Sequence, residues 1–386
     1  DNELLEIRYS GRPAAFLRAF KAGYYAILYN FIVMGWVINA MASVVSVMLN
    51  MDKWTAVWLC VTIAVVYAIL SGFWGVVITD IVQFFIAMFG SIALAIIALN
   101  HVGGMDTLLQ GLSNLLGTEI IHENTLKFIP PIPDNSIGSL SFWESPFSKF
   151  LIFITVMWWS HHGTDGGGYI IQRMSSAKNE KHALLATLWF NLAHYAVRVW
   201  PWIIVGVVSI VMFPVIPDSY SELGTKAGYP LVMNMLLGPG MKGILIVSFL
   251  AAFMSTIDTH LNWGASYIIN DIYKRFFKPN KSERHYVVVS KIITVILMIL
   301  AAFTALKMQS ISKAWAFIFS MGAGIGLVLI LRWFWWRINA WSEITALSTS
   351  ILITILLETI AWWQVSTKEG SYSLFGTEPI LFGVQI

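Results

Sequence analysis

The sequence predicts an all-α protein that crosses a membrane many times. Of 386 residues, 57% are hydrophobic and 12% are charged, about half the charged share of a soluble domain. Mean hydropathy is +0.71. The apolar residues gather into runs near ~20 residues, the length a helix needs to span a bilayer. The 18 Trp and 13 Tyr suit the aromatic belts at the two membrane surfaces. Cys60 is the single cysteine, so no internal disulfide forms. Net charge is only +3. No basic block or low-complexity tract is present, which argues against a nucleic-acid partner.

Nine candidate spans follow in order: 22–48, 54–78, 80–100, 150–164, 184–214, 243–273, 286–307, 312–335 and 344–364. The second and third are separated only by Thr79-Asp80, which reads as a tight turn at one membrane face. The Lys and Arg between spans divide unevenly, 15 on one side and 8 on the other, with Arg198 inside a span. The richer side is cytoplasmic by the positive-inside rule. The chain then enters from inside and leaves outside after nine crossings. Segment 101–149, with Pro130, Pro131 and Pro133, is a long extracytoplasmic loop, and 365–386 is an extracytoplasmic tail. A second outer loop, 215–242, contains Tyr229-Pro-Leu-Val-Met-Asn-Met-Leu-Leu, which reads as a short surface helix. The chain begins at Asp1 without a Met or a signal peptide, so its true start is expected upstream.

The sixth span carries the most chemistry. Between Val247 and Phe276, the residues Ala252, Ser255, Thr256, Asp258, Thr259, Asn262 and Ser266 recur every three or four positions. That spacing lines them along one helix face. A carboxylate near mid-bilayer costs at least ~3 kcal/mol, so Asp258 must face protein, water or an ion. Hydroxyl, carboxylate and carbonyl oxygens are hard ligands for a hard cation. A polar seam between two membrane helices is the competing reading.

The fourth span is apolar only from Phe150 to Ser160, and His161-His-Gly-Thr-Asp-Gly-Gly-Gly168 follows. Glycines release a helix and let backbone approach a ligand. Unwound backbone at membrane depth survives only against protein or a watery cavity, and a broken helix there marks a transporter binding site. His194 and Arg198 lie four apart, on one face of the fifth span. They read either as a solute contact or as a structural ion pair. His161 and His162 are adjacent and do not share a helix face, so no structural metal site is expected. No Walker-type loop and no paired catalytic carboxylates occur, so no enzyme is expected either.

Four stretches together resemble the sodium:solute symporter family of sodium-coupled sugar, proline, sialic acid and iodide carriers. They are Gly72-Phe-Trp-Gly-Val-Val-Ile-Thr-Asp80-Ile-Val-Gln83, Gly168-Tyr-Ile-Ile-Gln-Arg173 with Ala177-Lys178, Leu250-Ala-Ala-Phe-Met-Ser-Thr256, and Asn270-Asp-Ile-Tyr-Lys274. The resemblance implies an inverted pair of five-helix repeats. Residues 150–335 would form the second repeat, 22–100 the last three helices of an incomplete first repeat, and 344–364 an additional helix. All belong to one transmembrane domain, 1–364.

The resemblance also implies a main sodium site at the Ala252 carbonyl and the Ser255 and Thr256 hydroxyls. A second site in some members maps onto Asp80, Asp258 and Thr259. This chain has an acid at Asp258 where such members have a hydroxyl. Solute-facing positions map onto Ser160, His162, Gly163 and His194, none of which matches the residue types of the sugar carriers. The implied function is alternating-access symport of a small polar solute (sugar, amino acid or carboxylate). Na+ is the coupling ion, with no other cofactor, and lipid, Na+ and solute are the partners. A symporter-like sensor that binds solute without transport is the alternative. The expected location is a membrane, taken as the bacterial cytoplasmic membrane.

Overall fold

The computed structural model describes residues 2–70, 73–115, 129–134, 137–160, 164, 167–308 and 310–366. Their regular elements are all helices, and no strand occurs among them. Two short amphipathic pieces open the chain, α1 (Asn2–Arg8) and α2 (Gly11–Gly23). A π-helical segment, Tyr24–Tyr29, joins α2 to α3 (Asn30–Leu49), so that Gly11–Leu49 forms one rod. Asn50 stops it in the left-handed conformation, at φ 51°, which Asn tolerates better than most residues. Asp52 then accepts from the Thr55 amide at 2.9 Å and caps α4 (Lys53–Leu70).

Next comes α5 (Phe73–His101), which corrects one expectation. Thr79 and Asp80 lie inside this continuous helix, and the junction with α4 falls at Ser71-Gly72, outside the described residues. Thr and Asp carry only modest helix penalties that flanking apolar packing overrides. At the outer end, α6 (Met105–Leu115) follows Gly103 and Gly104, both at positive φ.

The fourth span is interrupted, as its composition predicts. Short helices α7 (Leu140–Glu144) and α8 (Pro146–Ile152) lead through a π segment, Phe153–Met157, into α9 (Trp158–Ser160). Helix resumes with α10 (Gly168–Ser175). Gly167, at φ 70° and ψ 143°, immediately precedes it, in a conformation that favours glycine.

The fifth span is α11 (Glu180–Asn191), a π segment at Leu192–Val197, and α12 (Val199–Met212). A 3-10 segment, Asp218–Ala227, leads to α13 (Gly228–Leu236). The short helix expected after Tyr229 is present, but Pro230, Leu231, Val232 and Met233 are buried, so it packs into the molecule and is not decoration. The remaining elements are α14 (Pro239–Tyr267) with a π extension at Ile268–Phe277, α15 (Glu283–Lys307), α16 (Ile311–Gly322), α17 (Gly326–Phe334) and α18 (Ala340–Ser366).

Seven segments among the described residues are long and apolar enough to cross a membrane, and Lys53–Ala68 is a shorter apolar helix. The count of nine is therefore not reproduced. The interrupted segment around α8–α10 fails on continuous length.

Helices α3, α4, α14 and α15 form the central body, packed through Ile38, Met41, Phe253, Leu261, Leu297 and Met298. Lipid is as apolar as Leu, so close backbone approach and hydrogen bonds hold membrane helices together. Both occur here. A Cβ on Gly35 of α3 would meet Thr304 of α15 at 2.8 Å. Asn39 Nδ2 donates to the Ala305 and Met308 carbonyls, each at 2.9 Å, and Asn30 Nδ2 donates to the His260 carbonyl at 2.8 Å. In the most apolar stretch of Gly11–Leu49, 72% of residues are buried, against 17% for Glu180–Met212. The first is scaffold. The second leaves most of its surface to lipid, ligand or further polypeptide.

The end assigned to the cytoplasm is closed by buried ions. Glu343 of α18 is 0% exposed. It accepts from Lys21 Nζ at 3.2 Å, Arg332 Nη1 at 3.2 Å and Tyr9 Oη at 2.8 Å. Asp271 accepts from Arg18 Nε at 2.6 Å and Asn2 Nδ2 at 2.9 Å, and Arg18 Nη1 also meets Glu6 at 2.8 Å. Burial, reinforced by the Glu343 charge, pushes the Tyr9 phenol above its usual range.

Candidate ion and solute site

The polar stripe of α14 runs down one side of the helix. Ala252, Asn262 and Ser266 are exposed, Ser255, Thr256 and Thr259 are half-buried, and Asp258 is buried at 1% exposure. Thr256 Oγ1 donates to the Ala252 carbonyl at 2.9 Å, the back-bond a hydroxyl makes inside a helix. Ser255 Oγ has no hydrogen bond among the described residues. Of the stripe's hydroxyls on this turn, Ser255 is thus the one left open, while Thr256 is back-bonded. A cleft lined by Leu4, Leu5, Arg8, Arg332 and Trp333 lies at the cytoplasmic end instead.

Asp258 accepts from Asn262 Nδ2 at 3.0 Å, and Arg173 Nη2 of α10 donates to Thr259 Oγ1 at 2.9 Å. The arginine reaches α14 because α10 starts tight against it. A Cβ on Gly168 would meet Tyr267 Oη at 2.5 Å and Trp263 Nε1 at 2.6 Å. Sequence reasoning finds Arg173 within a motif without giving it this task. Its signal is a basic residue five positions beyond a glycine run.

Asp80 lies on α5, and its side chain is outside the described residues. The helix register still places its backbone. Gly90 of α5 sits against Leu245 and Ser248 of α14, where a Cβ would come within 2.7 Å of Leu245. The topology expected from the charged loops has α5 and α14 running in opposite directions. Ten residues, or about 15 Å, toward the cytoplasm from Gly90 and from Ser248 lead to Asp80 and Asp258 respectively. On that topology the two acids would stand at about the same level of the bundle.

Of the predicted solute-facing positions, His162 and Gly163 fall outside the described residues. Ser160 is buried at the end of α9. The Trp159 and Ser160 backbone presses on Gly326 at the start of α17, so closely that any Cβ there would collide with it. His194 occupies a different neighbourhood. Its ring stacks on Phe190 at 5.0 Å, and its Nε2 lies 3.2 Å from Arg198 Nη2. The π segment ending at Val197, closed by the Arg198 amide to the Ala193 carbonyl at 3.0 Å, offsets Arg198 from its α-helical register.

A bundle of apolar spans with a broken helix and a polar helix face is a polytopic membrane protein. The chain belongs to the sodium:solute symporter family, whose model matches residues 2–360. It is 24% identical over 335 residues to sodium/glucose cotransporter 4 of Danio rerio, covering 80% of this chain and 49% of that protein. It is 23% identical over 321 residues to the sodium/proline symporter of Escherichia coli, covering 81% and 58%. Among solved structures, it is similar to an outward-open, substrate-bound Na+-coupled sialic acid symporter. The TM-score is 0.61 at 17% identity, covering 92% of this chain and 76% of that one, a likeness of fold. The chain spans about half to three-fifths of the length of these curated relatives. They are transporters, not enzymes.

Proposed function

We propose that this chain forms the core of a sodium-driven symporter for a small polar organic solute. The observation that carries the reading is the polar, incompletely buried face of α14 at Ala252, Ser255 and Thr256, in a chain of this family. One Na+ would bind at the Ala252 carbonyl and the Ser255 and Thr256 hydroxyls, with the Thr256 back-bond released. Residues 150–335 act as the second inverted repeat and 22–100 as the last three helices of an incomplete first one. Ion binding favours the outward-open form and orders the broken helix near 160–168. Solute binds beside Ser160, His162, Gly163 and His194, and the repeats rock to release both inside. Coupling requires only that the ion bind the two forms with different affinity.

The second cation position, at Asp80, Asp258 and Thr259, is shared with Arg173. A guanidinium 2.9 Å from the Thr259 hydroxyl opposes a Na+ on the same oxygen. Two unit charges ~4 Å apart repel by about 4 kcal/mol at an effective dielectric near 20. Arg173 therefore acts as a built-in counter-cation for the acids of this level, and the main site alone couples transport.

The test is sodium-stimulated uptake by the carrier expressed from its complete reading frame. Ser255→Ala and Thr256→Ala each abolish stimulation by NaCl over choline chloride while membrane insertion stays intact. Full sodium dependence in both variants would sink the site.

A further inference from the structure

The proposed symport leaves the solute unnamed, and Arg198 narrows it. Arg198 sits near the middle of the span Glu180–Met212, where a lone positive charge costs at least ~2.5–3.5 kcal/mol. No carboxylate lies within ion-pair distance of it among the described residues. Its partners are His194 Nε2 at 3.2 Å and the ring of Trp202, 4.9 Å from the guanidinium carbon. Its Nε is buried without a hydrogen bond. The contact with His194 requires a neutral imidazole whose Nε2 lone pair accepts, so that ring cannot balance the charge.

The guanidinium is nevertheless held in place. Trp202 Nε1 donates to the buried Ser91 Oγ at 2.9 Å, which fixes the indole. His194 is fixed by its stack on Phe190. An arginine positioned by an aromatic face and one acceptor keeps the rest of its donor fork free, and that fork matches a carboxylate. Depth fits as well. Trp202 pairs with Ser91, and Gly90 pairs with α14 near Leu245 and Ser248. One turn inward, Arg198 lies near the level of Leu250. The Ser255 and Thr256 hydroxyls are about 8 Å further along the axis.

The geometry points to Arg198 as the receptor for a carboxylate on the transported solute, with His194 and Trp202 as its positioning residues. This rests on the symporter reading, and it assigns the solute to the carboxylate-bearing class, excluding neutral sugars. Solute and Na+ then enter with opposite charges, the carboxylate at Arg198 and the ion about 8 Å further along the bundle axis.

The experiment is a melting-shift measurement on the purified complete carrier with matched probes: L-proline and L-prolinamide, D-glucuronate and D-glucose, L-lactate and L-lactamide, each in NaCl and in choline chloride. At least one carboxylate raises the melting temperature in NaCl only, and its neutral counterpart does not. Arg198→Gln loses that shift, corresponding to at least ~10-fold weaker binding, while Arg198→Lys keeps part of it and confirms an intact fold. A neutral probe that stabilises in NaCl, the absence of a shift from every carboxylate, or wild-type binding by Arg198→Gln overturns the assignment. The first of these leaves sodium coupling standing. A carboxylate that binds equally in choline chloride and depends on Arg198 keeps the receptor and removes the sodium coupling.

Discussion

Two sets of arginines occupy apolar surroundings here, and they are treated in opposite ways. At the end assigned to the cytoplasm, Arg332 and Lys21 converge on Glu343, and Arg18 meets Asp271 and Glu6. Every one of these cations has a carboxylate supplied by the chain itself. In the middle of α11–α12, Arg198 has an imidazole and an indole face instead. A charge withdrawn from water must be neutralised by something. The end that joins α1 and α2 to the π extension of α14 and to α18 carries its own counter-charges because it is a structural clasp. The mid-span arginine has none among the described residues, and on our proposal its counter-charge arrives with the solute.

The clasp gives the largest expected effect. Glu343→Ala leaves Lys21 and Arg332 buried at 2% and 3% exposure with their shared carboxylate gone. Breaking a buried ion pair by removing one partner costs about 3–5 kcal/mol. The melting temperature of the detergent-solubilised protein should fall steeply, and much less in Glu343→Gln, which retains acceptors for Tyr9 and Arg332. Equal melting of wild type and Glu343→Ala would show that the clasp does not hold the α2–α18 contact.

Little of this contrast is visible in sequence, and the reason is distance along the chain. The all-helical membrane class follows from composition, and the broken fourth span follows from glycines after an apolar run only half a bilayer long. The stripe on α14 is a local period and could be read directly. Lys21–Glu343 and Arg18–Asp271 span 322 and 253 positions, and no local pattern reports such pairings. Thr79-Asp80 misled because two polar residues between apolar runs look like a turn, whereas helix α5 carries them through. Arg173 reaching Thr259 depends on the bare backbone of Gly168 against Trp263 and Tyr267, a fit that only three-dimensional packing reveals.

Asp271→Asn probes the other half of the clasp more gently. Arg18 keeps Glu6, and the substituted amide can still accept one hydrogen bond through its oxygen. A loss of about 1–3 kcal/mol is expected, the range for a charged hydrogen bond. A loss as large as that of Glu343→Ala would mean that Glu6 contributes nothing.

The outer end offers an intermediate case. Lys226 Nζ donates to Asn39 Oδ1 at 3.1 Å. Burial, with the nearby Lys53 charge second, lowers its pKa from 10.5 to about 8. The folded protein thus disfavours the charged form. Below pH 8 this opposes folding, and the penalty is relieved as pH rises from about 8 toward the unfolded value near 10.5. Wild type should gain on the order of 1 kcal/mol relative to Lys226→Met between pH 7 and pH 10, after allowing for partial solvent screening. A pH-independent difference between the two would show that Lys226 is no less readily charged than a free lysine.

The smallest expected effect sharpens the comparison most. In the absence of solute, Arg198→Met removes a charge that nothing in the described residues neutralises. It also removes a cation–π contact worth roughly 0.5–2 kcal/mol and replaces a long stem with another of similar apolar reach. Relief of the buried charge and loss of the Trp202 contact oppose each other, so stability should stay within about 1 kcal/mol of wild type. The same substitution at Arg332 strips a donor from a carboxylate with no exposed surface, and should cost several times more. The pair is best measured side by side in detergent, with NaCl present and no added solute. If Arg198→Met were as damaging as Arg332→Met, Arg198 would belong with the clasp residues, neutralised from within, and solute would not be needed to complete its site.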